Sequence, residues 1–130
     1  MLAPLGLISR LRQAFSQSDR GWWDAFEASY DEQGFVVTER KRGRPARVTR
    51  VSWPQIATVC FVDGGQGSDC FYLFSATDEE LAMVPAQGPG GLAFWDELKR
   101  RNLFPAEISG HAVQSGKQGA QLWWPPQHGR

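Results

Sequence analysis

The sequence predicts one mainly β domain of the α+β class, an antiparallel sandwich or partial barrel with an N-terminal helix and a C-terminal helix. Three observations predict it. A run of about six short stretches of β-forming residues is separated by close, turn-rich intervals. Strands and helices do not alternate, which argues against a parallel sheet. The 130 residues fit a single domain, 1–130, with no repeat or linker to divide them. A chain of this size buries about 65–70% of its unfolded surface, so it needs no metal or disulfide to fold.

Residues 1–17 read as a short amphipathic helix, with Leu7, Ile8, Leu11 and Phe15 at i, i+1, i+4 and i+8. It packs on the body of the domain or lies on a membrane surface with Arg10 and Arg12 on its polar side. Packing is the simpler reading, because two arginines are few for a surface anchor. Ser18-Asp19-Arg20-Gly21 then breaks the chain. Trp22 to Tyr30 fits a strand by alternation and a helix by its aromatic face. The strand is favoured because the extended segment Phe35–Arg40 follows across the turn Asp31-Glu32-Gln33-Gly34.

A basic loop, Lys41-Arg42-Gly43-Arg44-Pro45, leads to an alternating strand from Ala46 to Trp53. Pro54 forces a bend. Ile56–Val62 is the most apolar run, and seven residues suit a buried strand. The loop Asp63–Asp69, the aromatic strand Cys70–Ser75, the turn Thr77–Glu80 and the strand Leu81–Pro85 come next. After the glycine break at 87–91, Leu92–Arg101 is the clearest helix. Its acidic residues precede Lys99, Arg100 and Arg101, as the helix dipole favours. Ala106–Gln118 is weakly patterned. Ala120–Trp124 reads as a last strand stopped by Pro125-Pro126, and 125–130 as a frayed tail.

Fourteen basic and fourteen acidic side chains cancel, so no global field draws the chain to nucleic acid or membrane. Any electrostatic partner must meet a local patch. No apolar run approaches the ~20 residues of a membrane span, and the apolar start lacks the basic leader of a signal peptide. A cytoplasmic protein is expected. Cys60 and Cys70 flank the loop 63–69 and can face one another, and reduced thiols are the expectation there. With no CxxC motif and only His111 and His128, no metal and no cofactor is expected.

No catalytic residues are assigned. A cysteine with His111 is the one conceivable pair, and nothing in the local sequence activates either thiol. The loop Gly64-Gly65-Gln66-Gly67 lacks the Lys-Ser/Thr of a phosphate loop. Asp63 and Asp69 are too few oxygens at fixed spacing for calcium.

Several features resemble a group of small uncharacterised bacterial proteins with a pleckstrin-homology-like pattern. They are Val51-Ser52-Trp53-Pro54-Gln55-Ile56, a strand ending in Asp63, a glycine-rich loop with Asp69, and a strand ending at Val84-Pro85. The helix Leu92–Arg101 and an aromatic strand ending in Trp124 complete the set, over roughly residues 34–124. The resemblance implies a β barrel or sandwich with a packed helix and no assigned chemistry. Some proteins of this kind are immunity partners of secreted bacterial toxins. The strand after the helix departs from the usual end of a pleckstrin-homology domain.

Two surfaces are candidates. Arg40, Lys41, Arg42, Arg44, Arg47 and Arg50 lie within eleven positions at an expected hairpin tip. They suit an anion such as a lipid head group or polynucleotide, although basic residues there also keep an edge soluble. No aromatic residue interleaves with them, which weakens the nucleic-acid reading. The pairs Trp22-Trp23 and Trp123-Trp124 send neighbours to opposite faces if they lie on strands. One of each pair is then available to a protein partner, unless both faces are covered. The leading expectation is a non-enzymatic protein-binding domain, such as an immunity protein for a toxin encoded nearby. The alternative is a pleckstrin-homology-like module that binds anionic lipid or nucleic acid through 40–50.

Overall fold

The computed structural model describes residues 21–115 and 118–127, so the expected helix at 1–17 and the end of the tail lie outside the described residues. Among the described residues, two antiparallel sheets and two helices form the fold. The first sheet has the order β1-β2-β3, from β1 (Phe26–Tyr30), β2 (Gly34–Glu39) and β3 (Arg47–Ser52). The second has the order β6-β5-β4-β7, from β4 (Thr58–Val62), β5 (Cys70–Phe74), β6 (Glu80–Pro85) and β7 (Gln121–Trp124). Helices α1 (Gly91–Arg100) and α2 (Ala106–Ser115) lie between β6 and β7 in sequence.

The core forms where alternate faces meet. Phe35, Val37 and Val51 point inward from the first sheet, and Val59, Phe61, Phe71 and Leu73 from the second. Helix α1 adds Phe94 and Leu98. Phe94 lies 4.7 Å from Phe35, ring to ring, and Phe71 lies 5.1 Å from Trp95, so aromatic edges and faces join both sheets to α1. The opposite face of the second sheet carries Cys60, Val62, Cys70, Tyr72 and Phe74. Every residue of β5 is buried, which explains why that strand reads as an unbroken apolar run rather than an alternating one.

Two expectations are corrected. Residues Trp22–Ala25 form a 3-10 turn and not the start of a strand. Gly21 stands at φ 82°, and the Asp24 N–H bonds the Gly21 carbonyl at 3.0 Å. The weakly patterned stretch from Ala106 is a second helix. Its interior Gly110 and β-branched residues lower propensity, and tertiary contacts outweigh that. Trp95 Nε1 of α1 donates to Ser109 Oγ at 3.0 Å, and Ala112 enters the core. Pro105 immediately precedes α2, and its carbonyl accepts the Ser109 N–H at 3.0 Å.

The end of α1 forms a charged clamp. Glu97, buried on α1, accepts hydrogen bonds from Arg100 and Arg101. The Arg101 guanidinium lies 4.3 Å over the Trp53 ring, and Trp53 Nε1 donates to the Asp31 carbonyl at 2.9 Å. The end of α1 is thereby fastened to the β1–β2 turn and to the bend after β3. Among the described residues, no helix is long and apolar enough to cross a membrane.

Candidate functional site

The β2–β3 hairpin carries the site, and its hydrogen-bond phase determines what the site can do. Trp53 N–H bonds the Gln33 carbonyl at 3.1 Å. Antiparallel pairs alternate between bonded and non-bonded, so with Phe35 opposite Val51, Val37 opposite Thr49 and Glu39 opposite Arg47, these are the bonded pairs. The other side of β2 agrees. Asp31 N–H to the Gly34 carbonyl and Arg40 N–H to the Ala25 carbonyl put the even-numbered residues of β2 in the β1 ladder. The main-chain groups of Val48, Arg50 and Ser52 therefore face away from β2.

That outer edge is open among the described residues, since β3 has β2 as its one neighbour. The opposite edge of the sheet is closed: Ala28 N–H of β1 bonds the Pro89 carbonyl at 2.9 Å. Among the described residues, the Ser52 N–H alone is occupied on that edge, by Gln55 Oε1 at 2.8 Å. The open stretch is thus centred on Val48 and Arg50. Val48 is one of three large hydrophobic side chains exposed among the described residues, at 50%.

The six basic residues divide by their partners. Arg40 pairs with Glu27 across the sheet at 2.9 Å, and Lys41 pairs with Glu39 at 3.2 Å. Among the described residues, Arg42, Arg44, Arg47 and Arg50 have no carboxylate within ion-pair distance. Alternation sends Arg47 and Thr49 to the inner face with Val51, and Val48 and Arg50 to the outer face. Arg42 and Arg44 sit in the exposed turn. The expected cluster is therefore spread along one arm rather than gathered into a single anion cradle.

Arg47 and Thr49 also form the wall of a cavity of about 500 Å³ between the first sheet and β6. Its apolar lining includes Phe26, Val37, Tyr72, Leu81 and Met83. Glu39, Lys41, Arg47 and Glu80 supply its charged lining. Pockets of this volume with mostly apolar walls and a few placed polar groups suit an organic side chain or small ligand.

The tryptophan pairs fare differently. Trp123 and Trp124 do take opposite faces of β7, but Trp123 is buried with Phe74, and Trp124 is half-buried against the main core. Trp22 and Trp23 lie on the 3-10 turn, edge to face at 5.8 Å. Trp22 lines the cavity. The four do not form one surface: Trp22 joins the hairpin site with Trp23 against its ring, and Trp123 and Trp124 support packing.

Elsewhere the sequence candidates have structural duties. Asp63 Oδ1 accepts from Gly65 N–H at 2.7 Å, and Asp69 Oδ1 from Gly64 N–H at 2.9 Å, so the two carboxylates close their own loop. Burial, and less strongly the Asp63 charge, raises the Asp69 carboxyl above its usual range. Cys60 and Cys70 are buried thiols on the second face of the second sheet, and burial pushes Cys70 far above the usual thiol range. His111 is exposed on α2, whose Ala112 packs in the other cluster, so the thiols and the imidazole are not brought together. The sequence missed the cavity and the open edge. Both depend on strand register, although exposed Val48 between Arg47 and Arg50 was the visible signal. No family model, curated protein or solved structure matches this chain.

Proposed function

We propose that this chain is a non-enzymatic protein-binding domain that engages its partner through the β2–β3 hairpin. The observation that carries the reading is the set of four arginines, Arg42 and Arg44 in the turn and Arg47 and Arg50 on the edge strand it leads to, which among the described residues have no ion-pair partners. Arginine presents a planar fork to carboxylates and is enriched at protein interfaces. The clamp of Glu97, Arg101 and Trp53 holds the hairpin base on a rigid core, so the surface is organised before a partner arrives. An immunity-type use, with a bacterial toxin as the partner, belongs to this reading and draws on the sequence resemblance. The test is co-expression with the products of adjacent genes. One of them should form a stable complex, and replacing the four arginines by serine should abolish it. Failure of every neighbour to bind, or a complex indifferent to the substitutions, rejects the reading.

The same arginines favour a second reading, a pleckstrin-homology-like module for anionic lipid or nucleic acid. It predicts retention on anionic vesicles or polynucleotide that falls steeply with salt. Retention unchanged after Arg42→Ser, Arg44→Ser and Arg47→Ser would reject it.

A further inference from the structure

The hairpin offers more than charge, and the geometry narrows what can dock there. We propose that the β3 edge takes an extended acidic segment of a partner protein as a fourth strand, with one apolar side chain of that segment seated in the cavity beside Arg47 and Thr49. The inference rests on the protein-binding reading and states its mode.

Three features meet at this edge. First, Val48 and Arg50 turn their N–H and C=O groups outward, while the Ser52 N–H is closed off by Gln55. An added strand finds main-chain partners over that short stretch and is stopped beyond it. Unused ladder groups on an edge are the template for strand addition. Second, side chains of an added strand alternate between the sheet's two faces. The residue opposite Thr49 faces inward, on the side where Thr49 and Arg47 wall the 500 Å³ cavity. An apolar side chain there meets Val37, Leu81 and Met83. Third, arginines without ion-pair partners among the described residues flank the strand on both faces, Arg47 inward and Arg50 outward, with Arg42 and Arg44 at the tip. Carboxylates on either side of the apolar residue fall on the outer face, where Arg50 is within reach. A basic segment meets repulsion at the same place.

Strand addition is separable from charge attraction. The probe is a synthetic nine-residue peptide of alternating Glu and Val with a central Leu, titrated against the full chain. It should bind, and amide exchange at Val48 and Arg50 should slow on binding. Methylating the peptide's alternate backbone nitrogens preserves its charge and removes its ladder donors, and should weaken binding at least about tenfold. Replacing the central Leu by Ser should weaken it by about tenfold or more, the value of one buried apolar side chain. In the protein, Val48→Pro removes an outward N–H and should abolish binding while the fold melts normally.

Equal affinity of the methylated peptide, or undiminished binding to Val48→Pro, overturns strand addition and leaves the protein-binding reading to its own test. Lack of any binding up to about 1 mM peptide overturns it as well. A gene-neighbour complex that survives loss of all four arginines overturns both.

Discussion

Two proline substitutions one residue apart should differ sharply, because the hydrogen-bond phase of β3 differs between them. Thr49 donates its N–H to β2, where Val37 is buried, whereas Val48 points its N–H to the open edge. Thr49→Pro removes a ladder bond and orphans a buried carbonyl. An unsatisfied buried acceptor costs about 1–3 kcal/mol, and the ring adds strain in a paired strand. A total of roughly 2–4 kcal/mol is expected. Unfolding entropy near 60 °C is about 2.1 cal/mol/K per residue, so for a 130-residue chain each kcal/mol shifts Tm by about 4 °C. Thr49→Pro should therefore lower Tm by about 8–15 °C. Val48→Pro loses no ladder bond and should cost less than about 1 kcal/mol, or about 4 °C. Thermal melts followed by circular dichroism measure both. Equal shifts, or a larger shift for Val48→Pro, would refute the assigned phase and with it the open edge.

Other outcomes follow from the core and its charges. Glu97 is held below the usual glutamate range by the Arg100 hydrogen bond first, with Arg101 adding to it. A depressed carboxyl contributes stability that is present above the unfolded pKa and lost as pH falls through the folded value. Acidification below about pH 4.5 should thus destabilise the protein, and Glu97→Gln should flatten that part of the stability–pH curve measured by denaturant titration. Cys60 and Cys70 should resist aromatic disulfide reagents at neutral pH in the native state and react on global unfolding, and rapid native labelling would contradict their burial. Gly90 sits at φ 78°, and an added Cβ would lie 2.0 Å from the Ala28 carbonyl oxygen. Gly90→Ala should cost at least about 1–3 kcal/mol in chemical unfolding, because both strain and the β1 contact oppose it. Phe71→Ala, at a fully buried ring touching Phe61, Phe94 and Phe104, should cost about 3–5 kcal/mol by the same assay.

By itself the sequence determined that this chain is mainly β, and where most strands fall. Residues such as Phe35-Val36-Val37 and Cys70–Phe74 have β-forming side chains bounded by Gly, Asp and Pro turns, which are local signals. It determined the helix at α1 from the spacing of Phe94 and Leu98, and it located the basic stretch 40–50. Tertiary structure alone decided that Trp22–Ala25 turns instead of extending and that Ala106–Ser115 is helical, since Trp95 and the core outweigh weak local preference. It also decided which arginines matter. Glu27, thirteen residues from Arg40, claims it only because β1 pairs with β2 in one register. The open edge and the cavity have the same origin. Which backbone groups face outward, and what lies beneath Thr49, depend on pairing between distant segments, and a one-residue slip would exchange the two faces.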